Sequence, residues 1–295
     1  MQVNMRDVYD NAGEIKEEVA PWLSGHKQQR ALLPNLQLLN QHLSAHSDLS
    51  IHEEAQPGLY FSFLGTKPIK TVKDIDSVQI SYQAQNISGH FFIAKNKEHS
   101  LLQVRISPAH LASVLGETKD QIIQHFTSLQ HSLGNENAVI KLPITERTTS
   151  IVQPILSHAG HSISLAGHLY SLTFTLIEQL QMLSHLSQCE DCQSKLFHAQ
   201  NLLEMPEYDT LDSKCLAQKV GLNAEALAIG FYLLVGQSIE SYRSRSRIRS
   251  AAALLRQNPA AKPHIVAQSG FSEDQFEAAF IKHFGVSSHQ YEQIH

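Results

Sequence analysis

The chain has 295 residues, of which 42% are hydrophobic and 17% are charged, and its formal net charge is −5. These values are typical of a globular protein with about two domains. The sequence contains no run of about 18 apolar residues, which a membrane-spanning helix would need. The polar, acidic first residues do not resemble a secretory leader. Three cysteines argue against a scaffold built on disulfides. We therefore expect a cytoplasmic protein with no membrane partner.

The first part of the chain is rich in predicted strands. Residues 1–30 are polar, and their pattern predicts a loose amphipathic helix over 3–19. Short alternating apolar runs, separated by turn-forming residues, then cover 36–38, 49–51, 59–64, 77–82, 89–93 and 100–106. Strands at this spacing predict a small β-sandwich or barrel. Ser107 and Pro108 begin a helix, because proline is preferred at the first helical position, and a second helix is predicted over 120–131.

Residues 144–206 have helical periodicity. Predicted helices cover 144–158, 161–186 and 194–205, the second with leucines at three- and four-residue spacing. The segment from Cys189 to Cys192 interrupts the pattern, and Pro206 ends it. Such helices predict either a dimerisation surface or packing on the chain's own sheet, and the pattern leaves both open. We divide the chain into a β-rich domain (1–140), a helical linker or dimerisation segment (141–206) and a C-terminal helical domain (207–295).

The last third of the chain contains one arrangement twice. Each copy has a short apolar helix, a glycine turn, a polar N-cap and a second helix that ends in glycine. The first copy extends from Leu211 to Gly236, the second from Ile265 to Gly285, and one long helix joins them. Each copy is typical of a helix-turn-helix unit. Two such units predict binding to double-stranded promoter DNA.

A set of positions across both units and the connecting helix follows a specific pattern. They are Leu216, Ala217, Gly221, Asn223, Leu227, Phe231, Gly236, Ile239, Tyr242, Arg247, Ile248, Ala251, Leu254, Leu255, Gly270, Ser272, Phe276, Phe280, Phe284 and Tyr291. This pattern resembles the AraC/XylS family of transcription regulators. Upstream, residues 33–37, 58–63 and 104–108, with Cys189 and the leucine-rich helix, resemble its siderophore-responsive, pyochelin-regulator-like branch.

The resemblance implies a fold and a function. The fold is α+β, with an N-terminal cupin-like sensing domain, a helical dimerisation segment and a C-terminal all-α tandem helix-turn-helix domain. The function is that of a ligand-responsive transcription regulator, in the manner of an activator. The implied effector is a small siderophore-like molecule, and no cofactor is expected. The implied partners are promoter DNA, RNA polymerase or another regulator, and a second copy of the chain.

The two helices expected to read DNA carry few of the usual contact groups. The first, 224–235, is apolar almost all round, with Ile229 and Tyr232 where the family usually has basic residues. A helix of this composition is expected to be buried. The second, 272–284, begins with Glu273 and Asp274. Acids in a first turn suit the helix dipole, although a carboxylate can also accept a hydrogen bond from cytosine.

Ten residues remain as candidate DNA contacts, because their side chains donate or accept hydrogen bonds or carry charge. They are Asn223, Glu225, Arg243, Arg245, Arg247, Arg249, Ser272, Gln275, Lys282 and His283. Helical spacing places Arg243 with Arg247 on one face and Arg245 with Arg249 on another. These arginines fit either phosphate contact or a solvated helix.

The charge balance of the C-terminal domain supports a second hypothesis. Residues 207–295 contain nine Lys and Arg and nine Asp and Glu, whereas a duplex-binding module usually has a basic excess. The alternative function is that of a degenerate AraC-like protein with little direct DNA reading. Such a protein would act through protein–protein interaction, as an antagonist or co-regulator.

The cysteines and histidines suggest little further chemistry. Cys189 and Cys192 form one CxxC pair, and His185 precedes it. A structural zinc site needs four ligands, so we expect no bound metal, and these three residues are the ligands to test if one binds. Ordinary cysteines at a helix junction are the default interpretation. The sequence has no glycine-rich phosphate loop, nucleophile elbow or His-Glu-x-x-His motif, and we do not expect an enzyme.

Overall fold

The computed structural model describes residues 2–33, 35–132, 139–157, 162–205, 208 and 211–294. The chain divides into two compact units, residues 1–188 and residues 189–295. The first unit contains all the described strands and the second contains described helices only, so the α+β class is confirmed. Among the described residues, no helix combines the length and apolarity needed to cross a membrane.

Two sheets form the first unit. The strands are β1 (Gln2–Asn4), β2 (Leu23–Leu33), β3 (Leu36–Ala45), β4 (Leu49–Ala55), β5 (Gly58–Gly65), β6 (Ser77–Gln83), β7 (Ile87–Ile93), β8 (Glu98–Ile106) and β9 (Val139–Leu142). One sheet has the order β1-β4-β7 and the other the order β2-β3-β8-β5-β6-β9. Every described pair is antiparallel except β1 with β4.

The alternating apolar runs do form strands. In β5 and β8, Phe61 lies opposite Val104 and Phe63 opposite Leu102, and all four side chains are buried. Because successive side chains of a strand point to opposite faces, this alternation fills one side of the sheet with large apolar groups. The sheet therefore has an apolar face against which helices pack.

The N-terminal prediction is wrong. Residues 3–19 do not form one helix: Val3 belongs to β1, and only the short helix α1 (Met5–Val8) follows. The long strand β2 was not predicted, because most of its side chains are exposed or half-buried. It is an edge strand, held by pairing with β3 from Leu23 to Leu33. Backbone pairing of this kind leaves no apolar alternation in the sequence.

Four longer helices complete the first unit: α2 (Pro108–Leu115), α3 (Lys119–Ser132), α4 (Glu146–Leu156) and α5 (Ser162–Gln188). As predicted, Ser107 caps α2, accepting a hydrogen bond from the His110 amide at 3.1 Å, with Pro108 in the first turn. α5 is apolar along one side and buries Leu165, Leu169 and Leu172. The predicted helix ends at His158 and His161 lie outside the described residues.

The second unit consists of α6 (Glu190–Leu203), α7 (Ser213–Val220), α8 (Ala224–Val235), α9 (Ile239–Gln257), α10 (Lys262–Gln268), α11 (Glu273–Phe284) and α12 (Ser288–Ile294). The helical pattern is interrupted at Cys189, as predicted, but the interruption is shorter than expected: Cys189 is the N-cap of α6, which begins at Glu190 rather than at residue 194. The predicted end at Pro206 lies outside the described residues. One apolar core joins α6, α7 and α8, and another joins α9, α10, α11 and α12.

Candidate nucleic-acid interface

The two predicted helix-turn-helix units are present in the second unit. α7 and α8 form the first, and α10 and α11 form the second. Each turn contains a glycine in the left-handed region, Gly221 with φ 73° and Gly270 with φ 72°. A side chain with a Cβ rarely adopts this conformation, because the Cβ crowds the backbone. The glycines thus explain why the chain reverses at these two positions.

In the first helix-turn-helix unit, the second helix, α8, is almost fully packed. Leu227, Ile229 and Phe231 of α8 are completely buried, and among its residues only Leu233 is exposed. At Gly230, an added Cβ would lie 2.6 Å from a methyl carbon of Leu196 in α6. α6 therefore covers the face of α8 that a glycine leaves open.

This packing limits what α8 can offer to a DNA duplex. Its one charged residue, Glu225, is half-buried. Asn223 is exposed, but its side-chain oxygen accepts a hydrogen bond from the Ala226 amide at 2.7 Å and caps the helix. Tyr232 is half-buried. Base reading needs donors and acceptors on an open helix face, and α8 presents few of them.

In the second helix-turn-helix unit, the second helix, α11, is open to solvent. Six residues of α11 are exposed: Glu273, Asp274, Gln275, Ala278, Ile281 and Lys282. Its N-terminus is closed by a capping box, in which the Ser272 hydroxyl accepts from the Gln275 amide and the Gln275 side chain accepts from the Ser272 amide at 3.1 Å. These two candidate contacts therefore also begin the helix.

One acid of α11 has a structural role. Glu277 forms an ion pair with Lys262 of α10 at 3.0 Å and accepts a hydrogen bond from the Ser288 amide of α12 at 3.1 Å. Partial burial alone would raise the pKa of Glu277, but the hydrogen bonds from Ser288 and Lys262 outweigh it and lower the pKa. The carboxylate thus ties α10, α11 and α12 together, and Glu273 and Asp274 remain as exposed acids.

Four of the arginines of α9, at positions 243, 245, 247 and 249, divide into two pairs, as their spacing predicts. Arg245 and Arg249 are exposed, whereas Arg243 and Arg247 are half-buried. The exposed pair influences His283 of α11. Burial is the main reason that the pKa of His283 is lowered, and the positive charges of Arg245 and Arg249 lower it further.

We call Arg245, Arg249, Lys282 and His283 the basic cluster. A groove of about 410 Å³ runs between α9 and α11, lined by Arg245, Lys282 and His283 among others. Glu240 also lines this groove and was not selected from the sequence. Its position four residues before Ser244 would have placed it on that face.

Lys219, Cys189 and Cys192 are not among the residues that line this groove. Lys219 stands over the ring of Tyr208, with its Nζ 4.8 Å from the centroid. The Cys189 Sγ accepts a hydrogen bond from the Cys192 amide at 3.3 Å, and a hydrogen bond with the Cys192 side chain lowers the pKa of Cys189. His185 is an exposed residue near the end of α5. A tetrahedral metal site would need a further ligand.

A polar cavity of about 280 Å³ lies in the first unit, lined by residues of both sheets. Its side chains include Lys27, Glu53, Gln103 and Arg105. Burial raises the pKa of Glu53, and the nearby Lys27 opposes that rise. A cavity with two cations, acids and several amides suits a polar ligand with hydrogen-bonding groups.

Comparisons with known proteins add a distant likeness of structure. No family model matches the chain, and no curated protein matches it in sequence. A crystal structure of ToxT from Vibrio cholerae shares 10% identity over 84% of this chain and 98% of that chain, with a TM-score of 0.28. ToxT bound to an unsaturated fatty acid shares 13% identity over 89% and 96%, with a TM-score of 0.27. At these TM-scores the likeness carries no argument about this chain.

Proposed function

We propose that the chain is a cytoplasmic, ligand-responsive transcription regulator of the AraC type that contacts promoter DNA mainly through its second helix-turn-helix unit. The observation that supports this proposal is the basic cluster beside an exposed, capped α11. Phosphate neutralisation by Lys and Arg supplies most of the sequence-independent affinity for a duplex. A cluster that spans α9 and α11 places this charge next to the open helix.

The two kinds of contact would have separate roles. The exposed residues of α11 would face base edges in a major groove, as the second helix of a helix-turn-helix does. Arg245 and Arg249 would contact phosphates, which position the protein without reading sequence. Asn223 and Glu225 of the first helix-turn-helix unit, with the half-buried Arg243 and Arg247, remain candidate contacts, but they are less accessible.

The effector would bind in the first unit. The polar cavity between the two sheets offers cations and amides to a ligand rich in oxygen, which suits the siderophore-like molecule that the family resemblance implies. RNA polymerase, another regulator and a second copy of the chain remain proposed partners of the complex on DNA.

The salt dependence of DNA binding tests the proposal. Duplexes selected on the full chain from a randomised pool are labelled, and their affinity is measured by fluorescence anisotropy over a salt series. Arg245→Ala and Arg249→Ala are each expected to reduce the slope of log K against log salt by about 0.9. The control is Arg256→Ala on the same helix, because its guanidinium lies over the Tyr291 ring at 5.5 Å.

Two results would contradict the proposal: no salt-dependent complex even at low salt, or a variant carrying both Arg245→Ala and Arg249→Ala that binds as tightly as the parent chain.

The buried α8 and the equal numbers of acids and bases in residues 207–295 favour the second candidate function, a protein-binding antagonist or co-regulator. In that case the chain would bind another regulator and leave the selected duplexes unbound.

A further inference from the structure

A second cavity, of about 420 Å³, lies in the first unit away from the polar cavity. It is lined by strand β5 and by helices α2, α3 and α5, and it opens to solvent, since its lining includes the exposed Ser128 and Gln181. Its apolar walls consist of Leu59, Phe61, Leu111, Ile122, Phe126, Leu129, Ile177 and Leu180. Protein interiors are packed to a density that leaves few voids larger than a water molecule. A space of this size lies within the range of small-molecule sites.

The polar side chains of this cavity are uncharged or weakly basic. His125 and Ser128 of α3, and Gln181, Ser184 and Gln188 of α5, are the remaining described lining residues. None of the described lining residues is Lys, Arg, Asp or Glu. The cavity thus differs in chemistry from the polar one, which holds both Lys27 and Arg105.

The lining determines which ligand can enter. A buried charge without a partner is costly, because it loses its hydration. Here an anion would find no lysine or arginine among the described lining residues, and the ring of His125 lies 3.8 Å from the carboxylate of Glu117. Serine hydroxyls and glutamine amides can instead hydrogen-bond a hydroxyl or carbonyl group.

We propose that this cavity is a binding site for an uncharged, mainly apolar small molecule that carries one or two hydrogen-bonding groups. Its body would pack between Phe61, Phe126 and Leu180, and its polar end would face Gln181 and Ser184. The site goes beyond the proposed function, since it is separate from the polar cavity and its occupancy does not depend on DNA binding.

A neutral fluorescent probe tests the site directly. N-phenyl-1-naphthylamine becomes brighter in apolar surroundings, and we expect saturable enhancement with the full chain. Displacement by 1-decanol is expected at concentrations about tenfold lower than displacement by decanoate at neutral pH, because only the carboxylate must lose its hydration. Absence of enhancement, or displacement by decanoate at equal or lower concentration, would overturn the proposal.

Two tryptophan variants on α5 locate the probe. Ile177 lines the cavity, whereas Ile163 is 87% exposed on the same helix. Ile177→Trp is expected to weaken probe binding by about tenfold, and Ile163→Trp to leave it unchanged. Leu129→Trp, on the α3 wall, provides a second blocking variant if Ile177→Trp does not fold. Equal binding by a folded blocking variant and by Ile163→Trp would place the probe elsewhere and overturn the assignment.

The oligomeric state distinguishes a ligand from a second copy of the chain. Mass measured by light scattering is expected to be the same with and without the probe, and probe affinity to be independent of protein concentration. Probe affinity that falls as the chain self-associates would show that a second copy covers the cavity, contrary to the proposal.

Discussion

α8 and α11 are built alike and exposed differently. Each has twelve residues, a side-chain N-cap and a terminal glycine in the left-handed region. Each also buries a phenylalanine completely at its eighth position, Phe231 in α8 and Phe280 in α11. Two positions before that phenylalanine, Ile229 is completely buried whereas Ala278 is exposed. The same local design thus yields one packed helix and one open helix.

The difference originates outside the motif. In the first helix-turn-helix unit, α8 shares a core with Leu196, Ala199, Leu202 and Leu203 of α6. The core of the second helix-turn-helix unit is completed by α9 and α12 instead, and α11 keeps an open face. A helix-turn-helix can therefore retain its glycine turn, caps and aromatic core while its second helix is packed rather than open.

An arginine at matched positions should break this comparison most strongly. Ile229→Arg places an unpaired charge in a fully packed core and is expected to cost about 3–5 kcal/mol of stability. Ala278→Arg, at the exposed counterpart, is expected to change stability by less than about 0.5 kcal/mol. Hydrogen exchange followed by mass spectrometry resolves peptides of α8 from those of α11 and measures both effects. Equal stability of the two variants would mean that α8 is not enclosed.

The Glu277 contacts provide the next largest effect. Their counterpart position in α8 is Ala228, which has no carboxylate. Glu277→Ala leaves Lys262 and the Ser288 amide without their partner and is expected to cost about 1–3 kcal/mol. Because the pKa of Glu277 is lowered in the folded chain, its contribution is present above its ordinary pKa and is lost as the pH falls through the folded value.

Urea titrations of the parent chain and Glu277→Ala, measured at several pH values, should therefore converge under acid conditions. Glu273→Ala is the matched control, since Glu273 is exposed in the first turn of the same helix. A constant difference between the two chains down to low pH would show that the contribution of Glu277 is not that of its carboxylate.

The smallest expected effect concerns His283 and the DNA affinity of the second helix-turn-helix unit. Burial and the positive charges of Arg245 and Arg249 lower the pKa of His283 in the free chain. A bound phosphate favours the protonated ring, so affinity is expected to rise by about threefold as the pH falls toward the lowered pKa of the free chain. His283→Gln should remove this rise. His264→Gln, an exposed position on α10, should retain it.

Several features could be predicted from local patterns. The six alternating runs lie in strands β3, β4, β5, β6, β7 and β8, and the periodic runs after residue 106 became helices, because each pattern matches one backbone period. The edge strand β2 escaped prediction because most of its side chains are exposed or half-buried, and β9 because it is short and its pairing partner β6 is distant in the sequence. The apolar composition of 224–235 predicted burial, but α6, which packs against this helix, begins more than thirty residues earlier.

For the candidate site, the sequence by itself determined the helix-turn-helix scaffold. Gly221, Gly270, Asn223 and Ser272 act within one turn of the backbone, so their roles follow from neighbouring residues alone. Tertiary structure alone decided which helix stays open, which arginines of α9 reach solvent and that Glu277 joins Lys262 and Ser288. The physical reason is that exposure depends on which distant segments pack together, and no local period records that contact.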